Sequence, residues 1–146
     1  MIETFTLEVD TPERQVVREA VTEAQIPVHG GYIGVLPGHT PLIGEIGAGE
    51  LTFRTAGGTH SCTAIGGFVE VLADRVIVLA DRAERAGEID IARAQRAGDR
   101  ALKRLSPPND PGVDWARAQA ALDRAQVRLQ VAAKADSAAA ATHGEA

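Results

Sequence analysis

The sequence predicts a β + α protein, an N-terminal β-sandwich or flattened barrel followed by a C-terminal antiparallel two-helix hairpin. Three observations carry this. Through about Asp81 the apolar residues alternate or come in short runs broken by glycine and proline, the period-two pattern of strands. Eleven of the fifteen glycines fall between Gly30 and Gly67, where they can supply turns. After Arg82 the chain becomes rich in alanine, arginine and leucine, residues that favour helix. The expected division is a β-sandwich over 1–86, a helical hairpin over 87–135 and a disordered tail over 136–146.

Taken in order, Phe5, Leu7 and Val9 alternate with Thr6 and Glu8, which gives a strand with one buried face. Leu51–Arg54, Phe68–Leu72 and Val76–Leu79 read the same way, the last two joined through Ala73-Asp74-Arg75 as a hairpin. Gly57-Gly58 and Gly66-Gly67 are expected at turns. In the first helix Ile91, Ala94, Gly98, Ala101, Leu102 and Leu105 recur at helical spacing. The segment Ser106–Gly112, with Pro107, Pro108 and Pro111, reads as a stiff connector. Asp114 is placed to cap a second helix. The expected seam of that helix is Trp115, Ala118, Leu122, Ala125, Leu129 and Ala132, at alternating steps of three and four. A short connector folds the helices back antiparallel. Alanine buries little area, so such an arm detaches easily. The alanine-rich end is low in complexity, and a frayed terminus is expected there.

A chain of 146 residues suits one domain with an appendage. Only five residues are aromatic, so the core must be aliphatic. The net charge of −5 is unevenly spread: through Ala80 there are four arginines against ten acids, and beyond it eleven basic against ten acidic residues. A net acidic chain argues against general nucleic-acid binding. Cys62 is the sole cysteine, so no internal disulfide forms and cytosolic placement is the default. No apolar run approaches the roughly 20 residues of a spanning helix, so membrane association is expected only through other proteins.

Catalytic readings find little support. The run GGYIGVLPGHTP lacks the spacing of a phosphate-binding P-loop, and the first lysine is Lys103. His29, His39, His60 and His143 are scattered, which predicts no metal site. Ser61, His39 and Asp81 carry no nucleophile-elbow sequence. The chain is therefore expected to be non-catalytic, with no required cofactor.

The arginines say more. Nine of thirteen lie between Arg82 and Arg128, with Arg93, Arg96, Arg100 and Arg104 on one helical stripe and Arg117, Arg124 and Arg128 on another. Charged stripes are commonly just solvated faces. Arginine in place of lysine nevertheless suits planar, bidentate binding of phosphate or carboxylate. A guanidinium pocket for a polyphosphate and a rail for an acidic protein both fit. One reading open at this point is a free-standing β-barrel adaptor whose arginine-rich arm binds an acidic protein or nucleic acid.

Four segments together resemble a known family: GVLPGHTPLI at 34–43, GGFVEV at 66–71, VLADRAERAGEIDIARA at 78–94 and VDWARAQAALDRAQVRL at 113–129. In this order they are similar to the epsilon-subunit family of bacterial F-type, proton-translocating ATP synthases. The resemblance implies a non-catalytic central-stalk subunit, peripheral on the cytoplasmic face of the bacterial inner membrane. Its β-sandwich would bind the gamma subunit and the c-ring and so couple shaft to ring in proton-driven ATP synthesis. Its mobile hairpin would inhibit ATP hydrolysis by reaching the catalytic β subunits.

In several members the pattern [IL]DxxRA binds ATP as a regulatory ligand and holds the arm down. Here Ile89-Asp90-Ile91-Ala92-Arg93-Ala94 matches it. The resemblance extends the ATP-binding set to Glu84, Asp90, Arg93, Ala94, Arg100, Arg124 and Arg128. It assigns the arginines to phosphates and Glu84 and Asp90 to the adenine or ribose, with helix capping as the alternative role for Asp90. Tyr32, Gly38 and His39 are implied in the loop facing the c-ring and gamma. Tyr32 stands where relatives usually carry glutamate, and Ile65 where they often carry serine. Gly98 inside the first helix costs about 1 kcal/mol relative to alanine.

Overall fold

The computed structural model describes residues 3–106 and 111–144, with side chains through Lys134. The chain divides into two compact units, the first ending at Arg85 and the second starting at Ala86.

The first unit is an eight-stranded antiparallel-rich sheet: β1 Phe5–Asp10, β2 Gln15–Val21, β3 Glu23–Val28, β4 Gly31–Val35, β5 Leu42–Glu45, β6 Ala48–Thr55, β7 Gly58–Val71 and β8 Arg75–Arg82. Its order is β2-β1-β8-β7-β6-β3-β4, with β5 branching onto β7. The path begins at β2 and ends at β4, so the open sandwich holds and the flattened barrel does not. The strand β7 makes the sandwich possible. Its residues Gly58–Ile65 pair with β6, whereas Phe68–Val71 lie between β5 and β8.

Gly66 and Gly67 sit at that change of partner with φ of 68° and 104°. They were expected at a turn, but lie inside β7. A positive-φ glycine serves a bulge as well as a turn. A Cβ on Gly67 would stand 1.9 Å from the Leu79 carbonyl oxygen, so no side chain fits where β7 crosses β8. Gly57-Gly58 does close the β6–β7 hairpin, and Leu72 N–H donates to the Arg75 carbonyl across the β7–β8 turn.

The alternation read in β1 appears as burial, with Phe5, Leu7 and Val9 inside. They join an aliphatic core that includes Val21, Ile26, Leu51, Val69, Val71, Val76 and Val78, all without exposed surface.

The second unit starts with a 3₁₀ turn at Ala86–Glu88, then α1 Ile91–Leu105 and α2 Trp115–Gly144. Both helices begin at an aspartate cap: Arg93 N–H donates to Asp90 Oδ1 at 3.0 Å, and Arg117 N–H to Asp114 Oδ1 at 3.1 Å. At the other end of α1, Ser106 Oγ donates to the Leu102 carbonyl at 2.6 Å.

The helices meet along a narrower seam than expected. Ala94, Gly98 and Ala101 are buried on α1, and Ala118, Leu122, Ala125 and Ala132 on α2. Ile91, Leu102 and Trp115 were expected in this seam but are 38%, 49% and 48% exposed. Small residues bring the axes close, and side chains set off the central line then fall outside the contact. The helix α2 also continues through Gly144, past the point where a disordered tail was expected from residue 136. The run Ala138–Ala141 explains the difference, since alanine has the highest helix propensity. The connector at 107–110 and the last two residues lie outside the described residues.

Candidate functional site

The two arginine stripes converge through helix geometry. Successive residues turn by about 100°, so Arg93, Arg96, Arg100 and Arg104 lie about 120° round α1 from its buried line. Arg117, Arg124 and Arg128 lie about 100° round α2 from its seam, in the same rotational sense. Packed antiparallel helices are related by a half-turn about the normal to the plane that contains them. Displacements of one sense therefore emerge on one side of the hairpin.

The register follows from the contact of Gly98 with Ala125, where a glycine Cβ would stand 3.5 Å from the alanine Cβ. Counting outward in opposite directions brings Arg100 to within about 1.5 Å of Arg124 in axial level, and Arg93 to within about 3 Å of Arg128. The two pairs are about 8 Å apart along the hairpin. Arg93 and Arg100 are exposed, and Arg124 and Arg128 are half-buried. Four planar forks on one face can bind several phosphate or carboxylate oxygens at once.

The other expected ligand residues fall into different roles. Asp90 is exposed and its Oδ1 is engaged as the cap of α1, which sets the first turn that carries Arg93. Ala94 has no exposed surface; it packs in the seam, and its side chain is not available to a ligand. Glu84 belongs to the first unit, where it is tied to β7: its N–H donates to Thr63 Oγ1 at 2.9 Å and Thr63 N–H donates to its carbonyl at 2.8 Å.

On the first unit, the GVLPGHTP segment leaves the end of β4 and turns at Pro37-Gly38. Gly38 adopts φ of 82° and donates its N–H to the Ala73 carbonyl at 2.8 Å, which fastens the turn to the β7–β8 hairpin. The His39 ring donates through Nδ1 to the Thr40 carbonyl at 2.6 Å. Tyr32 is not in the loop where it was expected but in β4, opposite Pro27 of β3. Its hydroxyl covers Gly49, 2.9 Å from the position of a Cβ there, and the residue remains 57% exposed.

One apolar surface on this unit was not foreseen. Ile43, Phe68 and Leu79 are 75%, 61% and 57% exposed on the outer face of β5, β7 and β8. Phe68 pairs with Leu79. With Ile77 they line a shallow groove of about 200 Å³. The signal was in the sequence: Val69 and Val71 point inward, so Phe68 occupies a phase of β7 that solvent would fill with polar residues.

Comparison with known proteins follows this division. The description "ATP synthase, Delta/Epsilon chain, beta-sandwich domain" matches residues 4–86, and "ATP synthase, Delta/Epsilon chain, long alpha-helix domain" matches residues 88–133. An ATP synthase epsilon chain of Solibacter usitatus is 53% identical over 134 residues, covering 92% of this chain and 99% of that one. One from Syntrophobacter fumaroxidans is 47% identical over 135 residues, with the same coverage. In the cryo-EM structure of the Euglena gracilis mitochondrial ATP synthase OSCP/F1/c-ring, a chain 24% identical superposes with a TM-score of 0.74, covering 88% of this chain and 81% of that one. A chain from the Tetrahymena thermophila mitochondrial ATP synthase central stalk and c-ring, 11% identical, gives 0.54 over 91% of this chain and 96% of that one.

Proposed function

The chain belongs to the ATP synthase delta/epsilon family, as an epsilon subunit, and from that premise we propose that its two units do separate work in the complex. The β-sandwich couples the gamma shaft to the c-ring. The hairpin restrains ATP hydrolysis and responds to ATP. The free-standing adaptor alternative falls with family membership over residues 4–133.

For the sandwich, the outward groove of Ile43, Phe68 and Leu79 supplies desolvated area for a protein partner, here gamma. The surface carrying Tyr32, Gly38 and His39 is left for the c-ring. Among the described residues no helix is long and apolar enough to cross a membrane. The subunit is accordingly read as peripheral, held at the cytoplasmic face of the bacterial inner membrane by its partners.

The observation that carries the regulatory reading is the four-arginine face, to which both helices contribute. A polyphosphate that contacts Arg93 and Arg100 together with Arg124 and Arg128 binds only the closed hairpin. It therefore stabilises the closed state by RT ln(1 + [L]/Kd), about 2.7 kcal/mol at a hundredfold excess over Kd. When ATP is scarce the arm opens, and the same arginines meet acidic surface on the catalytic β subunits.

Two measurements test this. Removal of residues 88–146 in the assembled synthase should leave coupling intact and raise ATP hydrolysis; unchanged hydrolysis removes the braking role. Isothermal titration of the subunit with ATP should show binding that weakens at least tenfold in Arg93→Ala and Arg128→Ala. Absence of heat at millimolar ATP would remove the sensor role.

A further inference from the structure

The helix α2 is held on two faces, and only one of them is the seam with α1. Relative to the line Ala118, Leu122, Ala125 and Leu129, residues Val127 and Val131 lie about 140–180° round the helix. An isolated two-helix hairpin would leave them in water. They are instead 9% and 0% exposed, in one cluster with Ile89, Ala132 and the partly buried Ala86. The segment that precedes α1 therefore forms a strap over α2. Its turn is closed by Ile89 N–H donating to the Ala86 carbonyl at 3.5 Å.

The strap holds a disproportionate share of the apolar packing. Among the described residues of the second unit, the buried aliphatic side chains larger than alanine are Ile89, Leu122, Val127 and Val131. Three of the four are in the strap cluster. The seam is mostly alanine and glycine, which bury little. The strap also has no slack, because Ile89 is followed directly by Asp90, the cap of α1. Displacing α2 from α1 then requires Val127 and Val131 to leave Ile89.

We propose that the strap Ala86–Ile89, through Ile89 packed on Val127 and Val131, is the latch that sets how readily the arm opens. The proposal rests on reading the second unit as a movable arm. It goes beyond that reading by locating the restraint outside both the helix seam and the arginine face. Arg128 lies between Val127 and Val131 in the chain, so an anion bound at Arg128 also braces the latched segment of α2.

Amide hydrogen exchange on the full-length chain provides the test, with the β-sandwich amides as an internal control for global folding. Ile89→Ala and Val131→Ala should raise α2 exchange at least tenfold along its whole length, including the end near Trp115. Leu122→Ala, a larger deletion than Val131→Ala but in the seam, should raise it less. Joining Ile89→Cys to Val127→Cys with a short thiol cross-linker should slow α2 exchange below wild type, while the native Cys62 is buried. Strap variants that act only locally, a seam variant that equals them, or a cross-link without effect would each overturn the latch and leave the movable arm standing. Wild-type α2 exchanging only at the rate of the sandwich core would overturn both.

Discussion

Gly98 of α1 rests against Ala125 of α2, and a β-carbon added to Gly98 would meet the Ala125 Cβ at 3.5 Å, an ordinary van der Waals separation. The glycine sits where the two helices touch, yet leaves room for one methyl. Gly98→Ala should therefore stabilise the hairpin by about 1 kcal/mol through helix propensity, while Gly98→Leu should open it. Denaturant unfolding of the second unit's signal checks both; destabilisation by the alanine would mean that the helices pack closer than 3.5 Å allows.

Gly67 is the opposite case. Its φ of 104° and the 1.9 Å approach of a Cβ to the Leu79 carbonyl leave no room for a side chain. Gly67→Ala should cost ~3 kcal/mol or more, because backbone rather than a mobile side chain must move. Gly34→Ala, where nothing lies within 4 Å, should stay within ~0.5 kcal/mol of wild type. Urea midpoints of the two variants decide the matter, and similar values for both would contradict the crossing geometry.

Asp90 is occupied as a cap by the 3.0 Å bond from Arg93 N–H. If its service to an anion is to order the first turn, Asp90→Ser should preserve both helix stability and ATP affinity. Asp90→Ala should lose about 1 kcal/mol of arm stability and weaken ATP binding with it. A serine variant that binds ATP as poorly as the alanine variant would show that the carboxylate touches the ligand.

Phe68 and Leu79 face outward as a cross-strand pair at 61% and 57% exposure. Serine at either site should leave the isolated subunit's stability within ~0.5 kcal/mol of wild type but sharply reduce its co-purification with gamma. Full assembly of the double variant would remove this face from the interface.

Much of the fold was legible because strands and helices announce themselves by local period. Phe5, Leu7 and Val9 give β1 by alternation, and Asp90 and Asp114 give the two helix starts by capping chemistry. Other strands were silent. Pro27 cuts short the alternation of Glu23–Ile26 in β3, and Gly31 and Gly34 dilute β4, so neither carries a sustained alternating apolar signal. Gly66-Gly67 was misplaced because a positive-φ glycine looks the same in a bulge and in a turn. The arginine stripes were visible as spacing, but their convergence on one side required the register supplied by Gly98 and Ala125.

By itself the sequence determined the β-then-α order, the caps, the two arginine stripes and the family resemblance, since each is written in neighbours a few residues apart. Only the tertiary structure decided that the sheet stays open, that Ala94 is packed away, that Ile43, Phe68 and Leu79 share a groove, and that Ile89 straps Val127 and Val131. The physical reason is that periodicity tells a residue which face of its own element it occupies. What covers that face depends on partners that are distant in sequence, chosen by packing and not by local pattern.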